Sequence, residues 1–400
     1  MLTALLPLLA AGCGSNAAAR ENADHKTAVQ ESMEQKNTEA PAEPAATLAP
    51  EKAKDARNAL KNNGGEEVIL TRRERPAEPA AEEEKEDKLL PDQGISEAME
   101  DAGLQVEELT IVIPGLKKNS RCLFLSDTHI ITLDGEETQQ QLDNALPRRD
   151  TLFRDAKGRK PEDTFPVWMA YANEQKVDAV LLGGDIIDFP SPSNVAFLRE
   201  NLEKLEMPVL YVPGNHDWTY PWEYMTEKGK KEYLAALAPF MRGTPAAQVL
   251  ENEEFILMGV DDSSNQIDPA ALEIVRKTME KGKPVIVLQH VPFATQKLVR
   301  EAAQVWKSPV VLGMGAAGGI YPNEASREYR KLVLGNASPV KAVLAGHIHM
   351  RETDAAAENG AVVQYTAEAG YRGKGILITI TGETSESVRE SGIPEETAAD

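Results

Sequence analysis

The distribution of aromatic residues constrains this chain more than any other feature of its sequence. All 21 Phe, Trp and Tyr residues lie at or after Phe124, so the first third of the 400-residue chain has none. Aromatic side chains contribute much of the apolar area that a core buries, and a long segment without them builds little core. The residues from Phe124 onward are numerous enough for a single large α/β domain.

Residues 14–103 have the composition of a disordered tether. They carry 21 acidic and 12 basic side chains, and Pro, Ala and Glu recur over residues 40–44 and 76–79. A charged segment of this kind does not bury enough apolar area to offset the entropy lost on folding. We therefore expect a disordered tether over residues 14–103, a folded domain over residues 104–382 and a polar tail over residues 383–400.

An apolar run over residues 2–11 opens the chain and is followed by Gly12 and Cys13. This arrangement resembles a bacterial lipoprotein signal, in which a Cys after a small residue becomes lipidated, although no Lys or Arg precedes the run. The resemblance implies a signal over residues 1–13, a lipid on Cys13 and an extracytoplasmic protein anchored to the membrane. The alternative is a cytoplasmic protein with an apolar start.

The charge balance and the cysteines exclude several classes of function. The formal net charge is −21, whereas a protein that binds a nucleic-acid backbone needs a surplus of Lys and Arg, so no nucleic-acid partner is expected. The two cysteines, Cys13 and Cys122, are too few for a disulfide scaffold or a thiolate metal cluster. The sequence does not indicate an oligomeric state.

From residue 104 onward, short apolar segments typical of strands alternate with amphipathic segments typical of helices. This alternation predicts a largely parallel α/β arrangement. Few residues separate the last two predicted strands, which predicts that these two strands pair in antiparallel fashion. A long polar loop over residues 131–165 indicates either substrate recognition or disorder. The predicted strands span residues 109–113, 121–126, 179–183, 209–212, 255–260, 285–289, 340–345, 361–365 and 375–380. The predicted helices span residues 167–175, 195–205, 230–237, 269–281 and 324–334.

Residues with metal-binding side chains follow several of these strands directly, and they include five of the six histidines. Because parallel strands end at one edge of an open sheet, we expect these side chains to converge there. The Asp-x-His and His-x-His spacings predict paired ligands on one side of an extended chain. One histidine after a strand is most often structural, but the recurrence of the pattern favours a metal site. The residues are Asp127, His129, Asp185, Asn215, His216, His290, His347 and His349.

The order of these motifs resembles that of the calcineurin-like metallophosphoesterase superfamily. The motifs are Asp127-x-His129, Gly184-Asp185, Gly214-Asn215-His216-Asp217, His290 and Gly346-His347-x-His349. The resemblance implies an α/β fold built as a two-sheet β-sandwich flanked by helices. It also implies two divalent metal ions as cofactors, and the oxygen and nitrogen donors suit Mn²⁺, Fe²⁺/Fe³⁺ or Zn²⁺.

The same resemblance implies a role for each residue of the motifs. Asp185 would bridge both metal ions, and His216 would be the general acid. Asp188 and Asp217 would orient or cap the ligands, because no ligand position remains for them. Asp127, His129 and His349 would complete one metal site, and Asn215, His290 and His347 would complete the other.

We therefore expect a phosphatase or phosphodiesterase that hydrolyses a small or envelope-derived phosphate mono- or diester outside the cytoplasmic membrane. Ser/Thr protein phosphatases of the superfamily follow Gly-Asp with Asp-Arg-Gly. This chain lacks that Arg and has Phe189 after Asp188, which disfavours a phosphoprotein substrate. The alternatives are a non-catalytic metal-containing binding module on a lipid tether and a cytoplasmic nucleotide or nucleic-acid phosphodiesterase, which the acidic charge balance disfavours. A third is a metal-dependent hydrolase that acts on an ester other than a phosphate ester.

Two further groups of side chains have two interpretations each. Arg148, Arg149 and Arg154 in the long loop either clamp a phosphate or form a solvated charge cluster. The aromatic segment over residues 218–222 either lines the substrate site or packs in the core.

Overall fold

The computed structural model describes residues 94–135, 137–219, 226–307, 312–313, 322–357 and 359–382. The predicted signal over residues 1–13, residues 14–93 of the predicted tether and the predicted tail over residues 383–400 lie outside the described residues. Within those residues, no helix combines the length and the apolar content that a membrane crossing requires.

The strands of the described residues are short and mostly apolar. Alternate residues of β2 point to opposite faces of its sheet, with Leu123 and Leu125 in one core cluster and Cys122 and Phe124 in another. The strands are β1 Gln105–Val112, β2 Ser120–Leu125, β3 Ala179–Leu182, β4 Val209–Tyr211, β5 Ala247–Glu251, β6 Ile256–Val260, β7 Val285–Leu288, β8 Val340–Ala345, β9 Glu352–Ala355, β10 Val363–Thr366 and β11 Lys374–Thr381.

The helices begin at residues that satisfy their first backbone N–H groups. Ser191, Thr295 and Asn323 each accept a hydrogen bond at a helix N-terminus, which is the usual capping arrangement. The helices in the described part of the chain are α1 Ile95–Asp101, α2 Gln139–Pro147, α3 Pro161–Glu174, α4 Pro192–Leu202, α5 His216–Thr219, α6 Glu227–Tyr233, α7 Pro269–Met279, α8 Gln296–Trp306 and α9 Glu324–Leu334.

The strands form two sheets. The first has the order β1-β11-β2-β3-β4, and β2, β3 and β4 are parallel to one another. The second has the order β5-β6-β7-β8-β10-β9, and β6, β7, β8 and β10 run parallel. All the polar motifs of the sequence therefore follow parallel strands, three in the first sheet and two in the second.

Three apolar clusters define the layers of the molecule. One cluster lies between the two sheets and joins Phe124 and Leu181 of the first to Leu288 and Leu344 of the second. The outer face of the first sheet packs on α3 and α4, and the outer face of the second packs on α7 and α9. The predicted α/β fold, a two-sheet β-sandwich flanked by helices, is confirmed.

The end of the chain differs from the prediction. The segments expected to pair in antiparallel fashion are β10 and β11, but they lie in different sheets. Strand β10 pairs in parallel with β8 and antiparallel with β9, whereas β11 inserts between β1 and β2. The sequence Glu-Thr-Asp-Ala of β9 has no apolar alternation, because this edge strand has little burial, and so it escaped prediction.

Residues 94–103 also differ from the prediction, which placed them in the tether. They include α1, whose Ala98 and Met99 are buried in the core cluster beneath α3. The Arg159 guanidinium donates to the Asp101 carbonyl oxygen at 2.7 Å and holds the end of this helix. Seven residues make only two turns, which is too short for a helical period to stand out in a charged segment.

Candidate metal centre

The predicted site residues lie where the parallel strands of both sheets end. Asp127 and His129 follow β2, and Asp185 follows β3. The turn after β8 of the second sheet lies close to the end of β2, because the His347 backbone nitrogen is 3.0 Å from both carboxylate oxygens of Asp127. The His290 ring lies against the first sheet in the same way, with Nδ1 2.8 Å from the Gly183 carbonyl oxygen. The two sheets therefore meet at one edge.

One group of donors at this edge comprises Asp127, His129 and His349, whose ligand atoms all lie within 4.8 Å of one another. The His349 Nε2 is 3.3 Å from the Asp127 Oδ1 and 3.2 Å from the His129 Nε2. Two imidazole Nε2 atoms that face each other across a carboxylate are placed to share one cation.

A second group comprises Asp185, His290 and His347, again within 4.8 Å of one another. The Asp185 Oδ2 lies 3.3 Å from the His290 Nε2 and 3.9 Å from the His129 Nε2. Asp185 therefore stands between the two groups. This is the position from which a single carboxylate reaches two cations.

Asn215 and His216 reach the same edge from β4. The His216 backbone N–H donates to the Asp185 Oδ1 at 2.7 Å. Asn215 is buried, and a Cβ on the preceding Gly214 would collide with Asp185, so this turn passes directly beside the carboxylate. The structure thus brings together all eight residues that the sequence predicted. Their individual roles stay predictions.

The backbone of this edge contradicts one part of the sequence argument. Asp127, His129 and His349 have φ values of 54°, 48° and 53°, and Asp185 and His347 are also left-handed. Such a conformation in a residue other than Gly costs about 1–3 kcal/mol. The paired ligands therefore converge through left-handed turns beyond the strand ends, and the inference from side-chain alternation on an extended chain is wrong.

Hydrogen bonds hold these strained turns. The Asp127 N–H donates to the Gly184 carbonyl and the His129 N–H to the Asp185 carbonyl, both at 2.9 Å. Gly184 itself has φ 88°, and a Cβ there would lie 2.6 Å from the Gly214 nitrogen, so only Gly fits.

The donor set fits divalent cations. The carboxylates of Asp127 and Asp185 are buried, which would be costly without a countercharge. Burial lowers the pKa of His129 to about 4, despite its hydrogen bond to Asp188, so this ring is neutral and able to bind a metal. Burial raises the pKa of Asp127, but His349 and His290 outweigh it and lower the value to about 2. The acid is thus ionised.

Asp217 connects the turns that follow β3 and β4. Its Oδ2 accepts from the backbone N–H groups of Asp185 at 3.0 Å and Gly214 at 2.7 Å, and its Oδ1 accepts from Ile187 at 3.0 Å. These contacts orient the chain on both sides of Asp185. Burial, together with the charge of Asp185, raises the pKa of Asp217 to about 7.

Asp188 lies beside His216 rather than within either donor group that contains Asp127 or Asp185. Its Oδ1 is 2.6 Å from the His216 Nδ1 and 3.4 Å from the His129 Nδ1. Asp188, His129 and His216 form a third set of potential ligands. Burial raises the pKa of Asp188, but the Arg148 guanidinium and then His216 lower it well below its usual range.

Sequence reasoning missed Asp262. Its Oδ1 accepts from the His290 backbone N–H at 2.9 Å and from Val291 at 3.1 Å, so it orients the turn after β7. Burial raises its pKa to about 7. Asp262 follows β6 just as the histidines follow their strands, and that position was a usable signal.

The prediction for the long loop over residues 131–165 was incomplete, because this loop contains α2 and a following turn over Arg148–Leu152. The Phe153 ring stacks on the His129 ring with centroids 4.1 Å apart. Arg148 is buried, so the solvated-cluster interpretation is wrong for it, whereas Arg149 and Arg154 pair with Asp150 at the surface.

Trp218 belongs to the core. It is 1% exposed, and its indole N–H donates to the Ser263 hydroxyl at 2.8 Å. Residues 220–222 of the same aromatic segment lie outside the described residues. Core packing is therefore the correct interpretation for Trp218.

The profile of one protein family matches this sequence, and its description is calcineurin-like phosphoesterase. The match covers residues 120–351, which is more than half of the chain and includes every predicted site residue. The chain belongs to this family. As a calcineurin-like phosphoesterase it is a metal-dependent hydrolase of phosphoesters, and the predicted enzyme class and the predicted need for divalent metal are confirmed.

Several solved structures are similar to this phosphoesterase. A dimetal phosphatase from Danio rerio is 13% identical with a TM-score of 0.37, and the similarity covers 63% of this chain and 88% of that one. Purple acid phosphatase PPD1 from yellow lupin (Lupinus luteus) seeds is 14% identical with a TM-score of 0.37, covering 68% and 45%. A protein serine/threonine phosphatase from Saccharomyces cerevisiae is 14% identical with a TM-score of 0.25, covering 69% and 77%. No curated protein sequence matches the chain.

Proposed function

We propose that this phosphoesterase hydrolyses a phosphate mono- or diester with two divalent cations at the edge shared by its two sheets. The observation that carries the proposal is the position of Asp185 between two separate donor groups. One cation would bind to Asp127, His129, Asp185 and His349. The other would bind to Asp185, Asn215, His290 and His347.

The cations, when bound, would supply Lewis-acid stabilisation of the phosphate charge and a water molecule of lowered pKa. Their nature follows from the donors, since carboxylate and imidazole ligands suit Mn²⁺, Fe²⁺/Fe³⁺ or Zn²⁺. The chain itself holds the ligands in place through Asp217 and Asp262, whose carboxylates receive backbone N–H groups of the ligand turns.

His216 would protonate the leaving oxygen. Its Nδ1 edge faces Asp188, and its backbone N–H is held by Asp185. The other ring nitrogen, Nε2, would be the proton donor. His216 begins the short helix α5. General-acid assistance of this kind typically contributes about 10²–10⁴-fold.

The substrate would be small or derived from the cell envelope. The position after Asp188 holds Phe189 rather than an Arg, which disfavours a phosphoprotein, and the net charge of −21 disfavours a nucleic acid. The apolar start and Cys13 favour a lipid-anchored protein outside the cytoplasmic membrane.

A metal-reconstitution assay tests the proposal. Purified full-length protein is stripped with a chelator, reloaded with Mn²⁺, Zn²⁺ or Fe²⁺, and assayed on nitrophenyl phosphate and bis(nitrophenyl) phosphate. We expect stripping to abolish turnover of at least one ester and reloading to restore it. Full turnover in stripped protein would overturn the dimetal assignment. Tight metal binding without turnover of either ester would favour the non-catalytic binding module.

A further inference from the structure

Arg148 is the buried member of the arginines contributed by the long loop. Its side chain is 9% exposed, whereas those of Arg149 and Arg154 are 21% and 31% exposed. Arg148 begins the turn that follows α2, and its guanidinium reaches the Asp188 carboxylate at the edge where the motifs converge. A fully charged group at such depth requires a specific partner.

Arg148 contacts the pair formed by Asp188 and His216. The Arg148 Nη2 lies 2.5 Å from the Asp188 Oδ1, which is also 2.6 Å from the His216 Nδ1. The Arg148 Nη2 is in turn 2.7 Å from that Nδ1. Three side chains from three separate segments therefore meet at one carboxylate oxygen.

Arg148 could either position His216 or bind the phosphate of the substrate, and the atoms that it contacts favour the first role. The contacts of Arg148 and Asp188 with the His216 ring are both made at Nδ1, and Nε2 is the other nitrogen of that ring. A guanidinium on the Nδ1 side fixes the carboxylate and the ring behind the proton-donating atom.

A second contact anchors the same segment to the site. The Phe153 ring is stacked on His129 with an interplanar angle of 1°, and the Arg148 guanidinium carbon lies 5.2 Å from the Phe153 centroid. The loop is therefore joined to both a predicted metal ligand and the predicted general acid.

We propose that Arg148 is a positioning residue for His216, acting through the oxygen of Asp188 that the two side chains share. The proposal rests on the proposed general-acid function of His216. A planar guanidinium restrains the orientation of a carboxylate, and that carboxylate restrains the imidazole. The long loop thus supplies part of the proton-delivery apparatus from outside the family motifs.

A double-mutant cycle tests this role in the metal-loaded full-length protein. The variants are Arg148→Ala, His216→Ala and the two combined, with Arg154→Ala as the matched control from the same loop. Each is assayed on a nitrophenyl ester and the corresponding phenyl ester, whose leaving group is the stronger base and needs more protonation.

We expect His216→Ala to slow kcat for the phenyl ester by about 10²–10⁴-fold and the nitrophenyl ester by less. Arg148→Ala should slow kcat for the phenyl ester by about 10–100-fold, again with a smaller effect on the nitrophenyl ester and an unchanged KM. When Arg148→Ala is added to His216→Ala, kcat for the phenyl ester should fall by less than about a further twofold, because the two residues act through one group. Arg154→Ala should behave as the unsubstituted protein.

Three results would overturn the proposal. An equal loss on both esters with a lowered unfolding temperature or metal content would make Arg148 merely structural. A raised KM and weaker inhibition by inorganic phosphate, persisting in the His216→Ala background, would make it a phosphate-binding residue. Independent, multiplicative losses would show that the two residues do not act together.

Two further comparisons keep the test decisive. If Arg148→Ala does not fold, Arg148→Lys and Arg148→Gln replace it in the cycle, and Lys should retain more phenyl-ester activity because it keeps the charge beside Asp188. If His216→Ala alone slows both esters equally, the general-acid function fails, and the proposal for Arg148 fails with it. A normal leaving-group effect for His216 without coupling to Arg148 overturns only the latter.

Discussion

Left-handed backbone at five site residues links the stability of this protein to its chemistry. Asp127, His129, Asp185, His347 and His349 all have positive φ. Each such residue costs about 1–3 kcal/mol, which the surrounding hydrogen bonds must offset. Asp and His tolerate this conformation better than most side chains. The residues that can bind metal are thus also residues that can form the turns.

At the same scale, the position of Asp185 predicts unequal effects on metal binding. Asp185→Asn should lose both cations, whereas Asn215→Ala should lose chiefly one, because only Asp185 stands between the two donor groups. Metal content per chain, measured by elemental analysis after dialysis, decides this. Asp268→Asn, a substitution at the N-cap of α7, serves as the control. Equal metal loss in both site variants would contradict the bridging assignment.

Cys122 gives a prediction about reactivity. The thiol is 1% exposed, and burial, followed by the charge of Asp178, raises its pKa to about 12. A raised folded-state pKa keeps the thiol protonated at pH 8. Iodoacetamide should therefore not alkylate Cys122 in the folded protein. The folding stability contributed by the neutral thiol should decline only as pH rises above the unfolded thiol pKa of about 8.5.

The measurement is mass spectrometry of the peptide that contains Cys122. Protein unfolded in urea at the same pH is the control and should be alkylated completely. Rapid alkylation of the folded protein would mean that β2 is far less protected than its burial indicates.

At the scale of elements, α1 is predicted to contribute to the stability of the domain. Its Met99 is buried in the core, and replacing a buried Met by Ala typically costs about 2–5 kcal/mol. We expect Met99→Ala to lower the free energy of unfolding in urea by an amount at the low end of that range, because a one-sided surface helix relaxes easily. Glu100→Ala, at an exposed position of the same helix, should have little effect.

Truncated proteins extend this test. A protein that begins at Gly94 should keep its turnover, whereas one that begins at Leu104 lacks α1 and should unfold at a lower urea concentration. Identical midpoints for the two would restore Leu104 as the domain boundary.

At the scale of the whole molecule, the anchor proposed at Cys13 predicts membrane association of the full-length protein. Cys13→Ser should move the protein from the membrane fraction to the soluble fraction, because the lipid on this residue would be its attachment to the membrane. Turnover by the released protein should be unchanged, because Cys13 precedes the matched region over residues 120–351. Cell fractionation followed by immunoblotting decides the matter. Unchanged membrane association would contradict lipidation at this residue.

Much of the architecture and the composition of the site could be predicted from the sequence. Apolar strands and amphipathic helices leave local periodicities, so nine of the eleven strands and five of the nine helices in the described residues were predicted, with Val340–Ala345 and Glu324–Leu334 at their observed bounds. Strand β5 and helix α8 were not predicted. The metal-binding side chains follow those strands, and parallel strands end on one edge, so their convergence was also predictable.

Other features depended on contacts between residues far apart in the chain. Strand β9 forms by pairing with β10, and helix α1 forms by packing into a core cluster, whereas their own sequences lack a period. The left-handed residues Asp127 and His129 are held by hydrogen bonds from their N–H groups to the carbonyl groups of Gly184 and Asp185, which follow a different strand. Arg148 lies 40 residues from Asp188 in sequence, and only the folding of the long loop over the site brings them together. Local patterns thus determined the type of fold and the donor atoms. Tertiary packing decided the backbone geometry of the site and the residues that support the donor atoms, because both depend on long-range contacts.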